Sequence, residues 1–249
     1  MSMIVNEYNK NGFVIIKNVL PKKDINLILK MITYNLNFFK KKSTKKFESK
    51  CWSNKKFTKK LMYFRNKNPN LFSYFYDLVQ SNIILKKITT NNKILKNISR
   101  LLKININSLS HSNVMVRMDG PEDARNIYGW HQERSYYLIN NKDGGIFVWI
   151  ALIDMVEDVG PLELITSSHK YGFIKPKVHK KKLGSIQNKI PLKYIEENKK
   201  NKISAKIKAG DAIFCNMNTF HKSGFNKSGL FRLSLISRFH DSNSNDFRS

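Results

Sequence analysis

The chain has 249 residues, 41% of them apolar, with a formal net charge of +27 from 45 basic and 18 acidic residues. That is long enough to enclose a large core and too apolar for an intrinsically disordered protein. Of the basic residues 37 are lysine and 8 arginine; the planar fork of arginine suits phosphates and base edges, so a scattered, lysine-heavy excess argues for compositional bias and against specific nucleic-acid recognition. The charge still gives weak attraction to polyanions at low salt. Cys51 and Cys215 show no CxxC spacing, which excludes a disulfide framework and suits a reducing compartment. No apolar run approaches the roughly 18 residues needed to span a membrane. Met1–Glu7 lacks the basic start and apolar core of a signal peptide, so the expectation is a soluble cytoplasmic protein.

Phe13-Val14-Ile15-Ile16-Lys17 is predicted as a short strand, followed by a turn through Pro21. Ile25, Ile28, Leu29, Ile32 and Leu36 recur at helical spacing, with Asp24 near the helix start. Residues 40–60 are rich in Lys and Ser and read as a solvated loop or short helices, with Cys51-Trp52 as the part that packs down. Over 69–103 two apolar stripes, Leu71 to Val79 and Ile94 to Leu102, predict helices buttressing a sheet. From Ser108 the period changes to that of a strand, with Val114, Val116 and Met118 alternating. Gly145 to Ile153 is a continuous apolar strand, Gly160-Pro161 a turn and Leu162 to Ile165 another strand. Residues 166–201 read as a long Lys-rich loop, which with 40–60 is a candidate cover for a site. Short strands over Ile203–Ile207, Ala212–Cys215 and Phe231–Phe239 complete the chain. No repeat or linker is visible, so one domain over 1–249 is expected, a helical buttress over about 22–103 and a jelly-roll core over about 105–240: mainly β with flanking helices.

The chemistry centres on Trp130-His131-Gln132-Glu133. On an extended strand His131 and Glu133 project to one face. Such a triplet alone is supplied freely by chance; the downstream half gives it weight. His221 lies in the strand-like Thr219–Gly224, and Arg232 follows it by eleven residues on the next predicted strand. Two histidines and one carboxylate with other positions open is the arrangement that binds non-haem iron(II) in oxygenases. An arginine beside it offers a two-pronged clamp for the far carboxylate of a 2-oxo acid. The bland alternative is two satisfied core histidines. His169 reads as a loop or supporting residue, His111, His179 and His240 as ordinary. Tyr136, Tyr137, Arg117 and Arg134 are possible substrate contacts.

In these blocks the sequence resembles the phytanoyl-CoA dioxygenase (PhyH-like) family of iron(II)- and 2-oxoglutarate-dependent oxygenases. The likeness starts at Tyr8–Ile16 and continues through Trp130–Glu133, Val148–Leu152, Gly160-Pro161-Leu162 and Ser168-His169-Lys170. It ends at Gly210-Asp211-Ala212, His221–Ser228 and Arg232. The resemblance implies a double-stranded β-helix, a cupin-like jelly roll, that hydroxylates a small molecule with O2 and releases succinate and CO2. It implies His131, Glu133 and His221 as Fe(II) ligands, and Arg232 with Ser223 on the distal carboxylate of 2-oxoglutarate. Gln132, Trp149 and Met115 match positions lining the co-substrate pocket. Two departures stand out: the family normally has Asp where Glu133 stands, and Pro-Gly-Ser where Thr166-Ser167-Ser168 precede His169. The competing readings are a basic nucleic-acid-binding module and a metal-free remnant on the same scaffold. No specific nucleic acid and no membrane are expected as partners.

Overall fold

Every residue of Gly145–Ala151 is buried, and the structure shows why this run carries no polar alternation. It forms the central strand of a five-stranded antiparallel sheet, with helices on one face and a second sheet on the other. The computed structural model describes residues 3–39, 47–123, 127–136, 145–180 and 186–244. In chain order the elements are α1 (Met3–Asn11), β1 (Phe13–Ile16), α2 (Lys22–Phe39), α3 (Lys55–Lys67), α4 (Pro69–Gln80), α5 (Ile83–Thr89), α6 (Asn92–Leu102) and β2 (Leu109–Asp119). They continue as β3 (Gly145–Ala151), β4 (Leu162–Ile165), β5 (Lys177–His179), β6 (Gln187–Lys189), α7 (Leu192–Glu197), β7 (Lys202–Ser204), β8 (Ala212–Asn216), β9 (His221–Ser223) and β10 (Arg232–Asp241).

The strand order is β1-β8-β3-β10-β2 in the large sheet and β7-β4-β9 in the small one, all antiparallel, with β5-β6 as a separate hairpin. This is the jelly roll with flanking helices that the sequence predicts. Alternate residues of β3 divide between two cores: Ile146, Val148 and Ile150 pack with the helices, Phe147, Trp149 and Ala151 with the small sheet. The helical layer follows its stripes, with Ile25, Ile28, Met31, Ile32 and Leu36 of α2 buried. Among the described residues asparagine side chains cap three α-helices: Asn54 for α3, Asn82 for α5 and Asn91 for α6 each accept from backbone N–H groups of the first turn. Pro69 occupies the first turn of α4, where a missing N–H costs nothing.

Two expectations are adjusted, and the packing down of Cys51-Trp52 is met. The sheet does not begin near residue 105, because β1 pairs with β8 in register Phe13↔Cys215 to Ile16↔Ala212. Residues 40–46 lie outside the described residues, while Trp52 is buried, donates to Thr33 Oγ1 at 3.0 Å and packs edge-on against Phe57 and Phe231. The 166–201 segment is not one structureless loop: β5, β6 and α7 interrupt it, and 181–185 lie outside the described residues. At the departure before His169, Ser167 takes the left-handed φ of 64° that glycine adopts freely. It is held there by N–H to Asn11 O at 2.8 Å and Oγ to Lys10 O at 2.9 Å. No helix among the described residues is long and apolar enough to cross a membrane.

Candidate metal centre and cavity

Strand register builds the floor of the site. On β10, Arg232, Ser234, Ile236 and Arg238 alternate onto one face. They pair across with Asp119, Arg117, Met115 and Asn113 of β2, and the last three with Ala151, Trp149 and Phe147 of β3. The floor is therefore ionic at the Arg232 end, apolar in the middle and ionic again at Arg238. It bounds a cavity of about 640 Å³, roofed by Tyr128, His131, Glu133 and Tyr136 and walled on one side by Arg65, Phe72 and Tyr76 of α3 and α4.

His131 and His221 meet through their backbones as an isolated antiparallel bridge, with N–H···O distances of 2.9 and 3.0 Å, and their rings lie 4.1 Å apart. Each imidazole is oriented in the same way. His131 Nδ1 lies 2.7 Å from Gly129 O, and His221 Nδ1 lies 3.0 Å from Thr219 O. A carbonyl only accepts, so Nδ1 carries the proton in both rings and Nε2 presents a lone pair. Glu133 Oε2 is 3.9 Å from Nε2 of His131 and 3.4 Å from Nε2 of His221. The three ligand atoms lie within 4.8 Å of one another, and all three residues are buried. Burial, then the neighbouring His221, pushes the His131 imidazole down to about 3, so it is neutral at physiological pH. Burial alone would raise the Glu133 carboxyl, but Arg238 and the two imidazoles outweigh it and hold it well below the usual carboxylate range. Two imidazole nitrogens and one carboxylate oxygen converging on one point fit a divalent transition metal.

One element differs from expectation. Glu133 does not sit on a strand; it opens a 3₁₀ turn over Glu133–Tyr136. Its carboxylate reaches the histidines because Arg238 holds it, with Nε and Nη2 each 2.5 Å from Oε1.

At the other end Arg232 is buried, and its fork is engaged within the protein. Nε and Nη2 donate to Asp119 Oδ2 at 3.1 and 2.7 Å, and Nη1 donates to the carbonyls of Gly160 and Gly224, the latter at 2.9 Å. Arg117 Nε and Nη2 donate to the other oxygen of the same carboxylate at 3.3 and 2.8 Å. Burial would raise Asp119, but Arg117 and Arg232 together hold it below its ordinary range. The open clamp expected at Arg232 is instead one carboxylate shared by two guanidiniums.

The family model of phytanoyl-CoA dioxygenase (PhyH) matches residues 8–234. The chain belongs to the PhyH family. A comparison with curated protein sequences finds no match. Among solved structures, the non-heme monooxygenase ThoJ in its apo form is similar at 15% identity and TM-score 0.66, over 96% of this chain and 77% of that one. The epimerase SnoN, described in complex with Fe3+, alpha ketoglutarate and nogalamycin RO, is similar at 15% identity and TM-score 0.65, over 99% and 85%. EvdO2 from Micromonospora carbonacea var. aurantiaca, complexed with 2-oxoglutarate, gives 12% identity and TM-score 0.64, over 97% and 91%. At these identities the likeness is one of fold.

In this PhyH-family chain Ser223, Trp149 and Met115 line the cavity, as do Arg117 and Tyr136. Gln132 does not. Its amide nitrogen donates to Gly172 O at 2.6 Å and Asn218 O at 2.8 Å, and its oxygen accepts from Ile174 N at 2.8 Å. It staples the metal-site segment to two neighbouring loops. Arg134 also lies off the cavity, over the Phe173 ring at 5.2 Å, and Tyr137 lies outside the described residues. His169 contacts Asn9 O at 3.1 Å, away from the ligand set. The residues missed from sequence are Arg238, Asp119, Ser234 and Tyr128; for Arg238 and Ser234 the period-two spacing from Arg232 was the available signal.

Proposed function

We propose that this chain is an Fe(II)- and 2-oxoglutarate-dependent dioxygenase, one domain over its whole length, that hydroxylates a small molecule in the cytoplasm. The observation that carries the reading is the ligand set: both Nε2 lone pairs are turned inward by Nδ1 bonds to backbone carbonyls, with Glu133 Oε2 between them. Support for the co-substrate comes from the far pole. One carboxylate between the buried Arg232 and the half-buried Arg117 leaves a single positive charge there, a match for one terminal carboxylate. Beside it Ser234 Oγ lines the cavity, 1% exposed and without a hydrogen-bond partner, an acceptor-starved group that a ligand would satisfy.

Bound at this site, iron with 2-oxoglutarate and O2 supplies an oxidant strong enough to oxygenate a C–H bond, while the oxo acid leaves as succinate and CO2. The chain does the rest. His131, Glu133 and His221 would hold the metal on one side and leave its other positions to the cavity. Arg232, Arg117, Ser223 and Ser234 would orient the oxo acid by its distal carboxylate. Met115, Ile236 and Trp149 keep the middle of the floor apolar and exclude water from the reacting centre. Tyr128 and Tyr136, with ring centroids 5.5 and 5.6 Å from that of His131, would wall the substrate beside the metal. Glu133 favours hydroxylation over halogenation, because its carboxylate fills the place a halide would need.

The test is a screen of small metabolites with Fe(II), 2-oxoglutarate and air, scored by substrate-dependent succinate and by gain of an oxygen atom in the product. Succinate formation that is lost in His131→Ala supports the reading. Succinate-free consumption of substrate, or turnover that survives His131→Ala, contradicts it.

A further inference from the structure

The glutamate at the metal-ligating position is longer by one methylene than the family's usual aspartate, and the structure ties this to a second residue. Arg238 lies on the floor of the cavity, flanked in register by Asn113 of β2 and Phe147 of β3, and is 6% exposed. Its Nε and Nη2 converge on a single oxygen of Glu133, Oε1, while Oε2 is the oxygen that faces Nε2 of both histidines. The two oxygens are thus assigned separate tasks by geometry. Glu133 needs this help, because its backbone has left the strand and entered a 3₁₀ turn, where alternation no longer aims the side chain.

We propose that Arg238 is a positioning residue for the metal: it anchors Oε1 so that Glu133 offers Oε2 alone, and it is the partner that makes glutamate the functional length at this position. The inference rests on the reading that His131, Glu133 and His221 bind a metal. A free carboxylate beside a dication can turn both oxygens onto it, which would occupy a position the co-substrate requires. With Oε1 held by a buried guanidinium, ligation is through one oxygen. Shortening the arm by one carbon–carbon bond, about 1.5 Å, would stretch 2.5 Å contacts beyond hydrogen-bond range. Aspartate at 133 therefore cannot both keep Arg238 and reach the histidines from this backbone. Partners that hold a ligating group typically shift metal affinity by about 10- to 100-fold when removed.

The alternative is that Arg238 and Glu133 are a buried ion pair that supports the fold and is indifferent to metal. The two are separated by Co(II) binding to the full chain, followed by absorption and calorimetry, for the parent, Arg238→Gln, Arg238→Lys, Glu133→Asp and the double variant Arg238→Gln/Glu133→Asp. The proposal expects Arg238→Gln and Glu133→Asp each to weaken Co(II) by about 10- to 100-fold, the double variant to be no weaker than the worse single one, and Arg238→Lys to recover part of the loss. Non-additivity is the signature, because both changes break one contact. Arg238→Gln binding Co(II) as tightly as the parent overturns it, and so do losses that multiply in the double variant. Should Arg238→Gln fail to fold, Glu133→Asp, which retains Arg238, decides alone: parent-like Co(II) affinity there overturns the proposal. A parent that does not bind Co(II) at all overturns the metal reading itself, whereas parent binding with unperturbed variants sinks only the role of Arg238.

Discussion

Replacing Arg232 by leucine removes a group with two tasks, and the structure separates them. The first is structural. Arg232 is 4% exposed and makes two hydrogen bonds to Asp119 and two to the carbonyls of Gly160 and Gly224. Breaking a buried ion pair costs about 3–5 kcal/mol, and each stranded carbonyl about 1–3 kcal/mol. Arg117 remains on Asp119, so that carboxylate is not left alone and the ion-pair part should sit near its lower figure; with the two carbonyls the loss should be about 5 kcal/mol. The second task is co-substrate binding, where loss of a charge-assisted partner in a desolvated site should cost about 2–5 kcal/mol. Urea unfolding of the metal-free protein measures the first, and a 2-oxoglutarate isotherm on the Co(II)-loaded protein the second. Co(II) affinity should stay at the parent value, since Arg232 touches none of the three ligands. Arg232→Lys, which keeps the charge but loses the fork, should fall between parent and leucine in both assays. Leucine with parental stability would refute the locked fork, and leucine with parental 2-oxoglutarate affinity would refute the pole.

Ser234→Ala should leave stability within about 0.5 kcal/mol of the parent or raise it, because the buried hydroxyl has no partner to lose, yet weaken 2-oxoglutarate binding; a clear stability loss with unchanged binding would contradict its role. Gln132→Ala removes three hydrogen bonds that join the metal segment to the 172–174 and 218 loops, at about 1 kcal/mol each. Amide exchange at Ile174 should quicken, and an unchanged rate there would count against the staple. Burial, then Arg238, lowers His240 from its ordinary 6.5 to about 4. The unfolded chain thus binds the extra proton first, so this contribution is complete above about pH 6.5 and is lost as pH falls toward 4, amounting to at most about 3 kcal/mol. His240→Phe should flatten the stability slope over that window, and a parental slope would remove His240 from the account.

What a sequence shows of such a site depends on the kind of interaction. His131, Glu133 and His221 were legible because metal chemistry restricts residue types and their order along the chain, whereas for Arg232 only its face was legible and not its lock on Asp119. The strand Gly145–Ala151 was legible because burial on both faces leaves a continuous apolar run. The contacts that finish the site were not. Arg238 meets Glu133 across 105 residues, and Asp119 meets Arg232 across 113. Periodicity tells which residues share a face but not which carboxylate lies opposite. The same limit explains Gln132, whose neighbours were in register while its amide serves two loops. Glu133 reached the right place by a route that alternation does not describe, a 3₁₀ turn steered by an arginine.

The most direct test of the central claim is an anaerobic titration of the full chain with Fe(II) and 2-oxoglutarate, read in the visible range. Chelation of Fe(II) by the oxo acid within a His131–Glu133–His221 site produces a weak charge-transfer band. The band is expected to grow to saturation at one Fe(II) per chain, to need both components, and to disappear in His221→Ala and Glu133→Ala. No band and no iron affinity in the parent, or a band that persists undiminished in both variants, would contradict that claim.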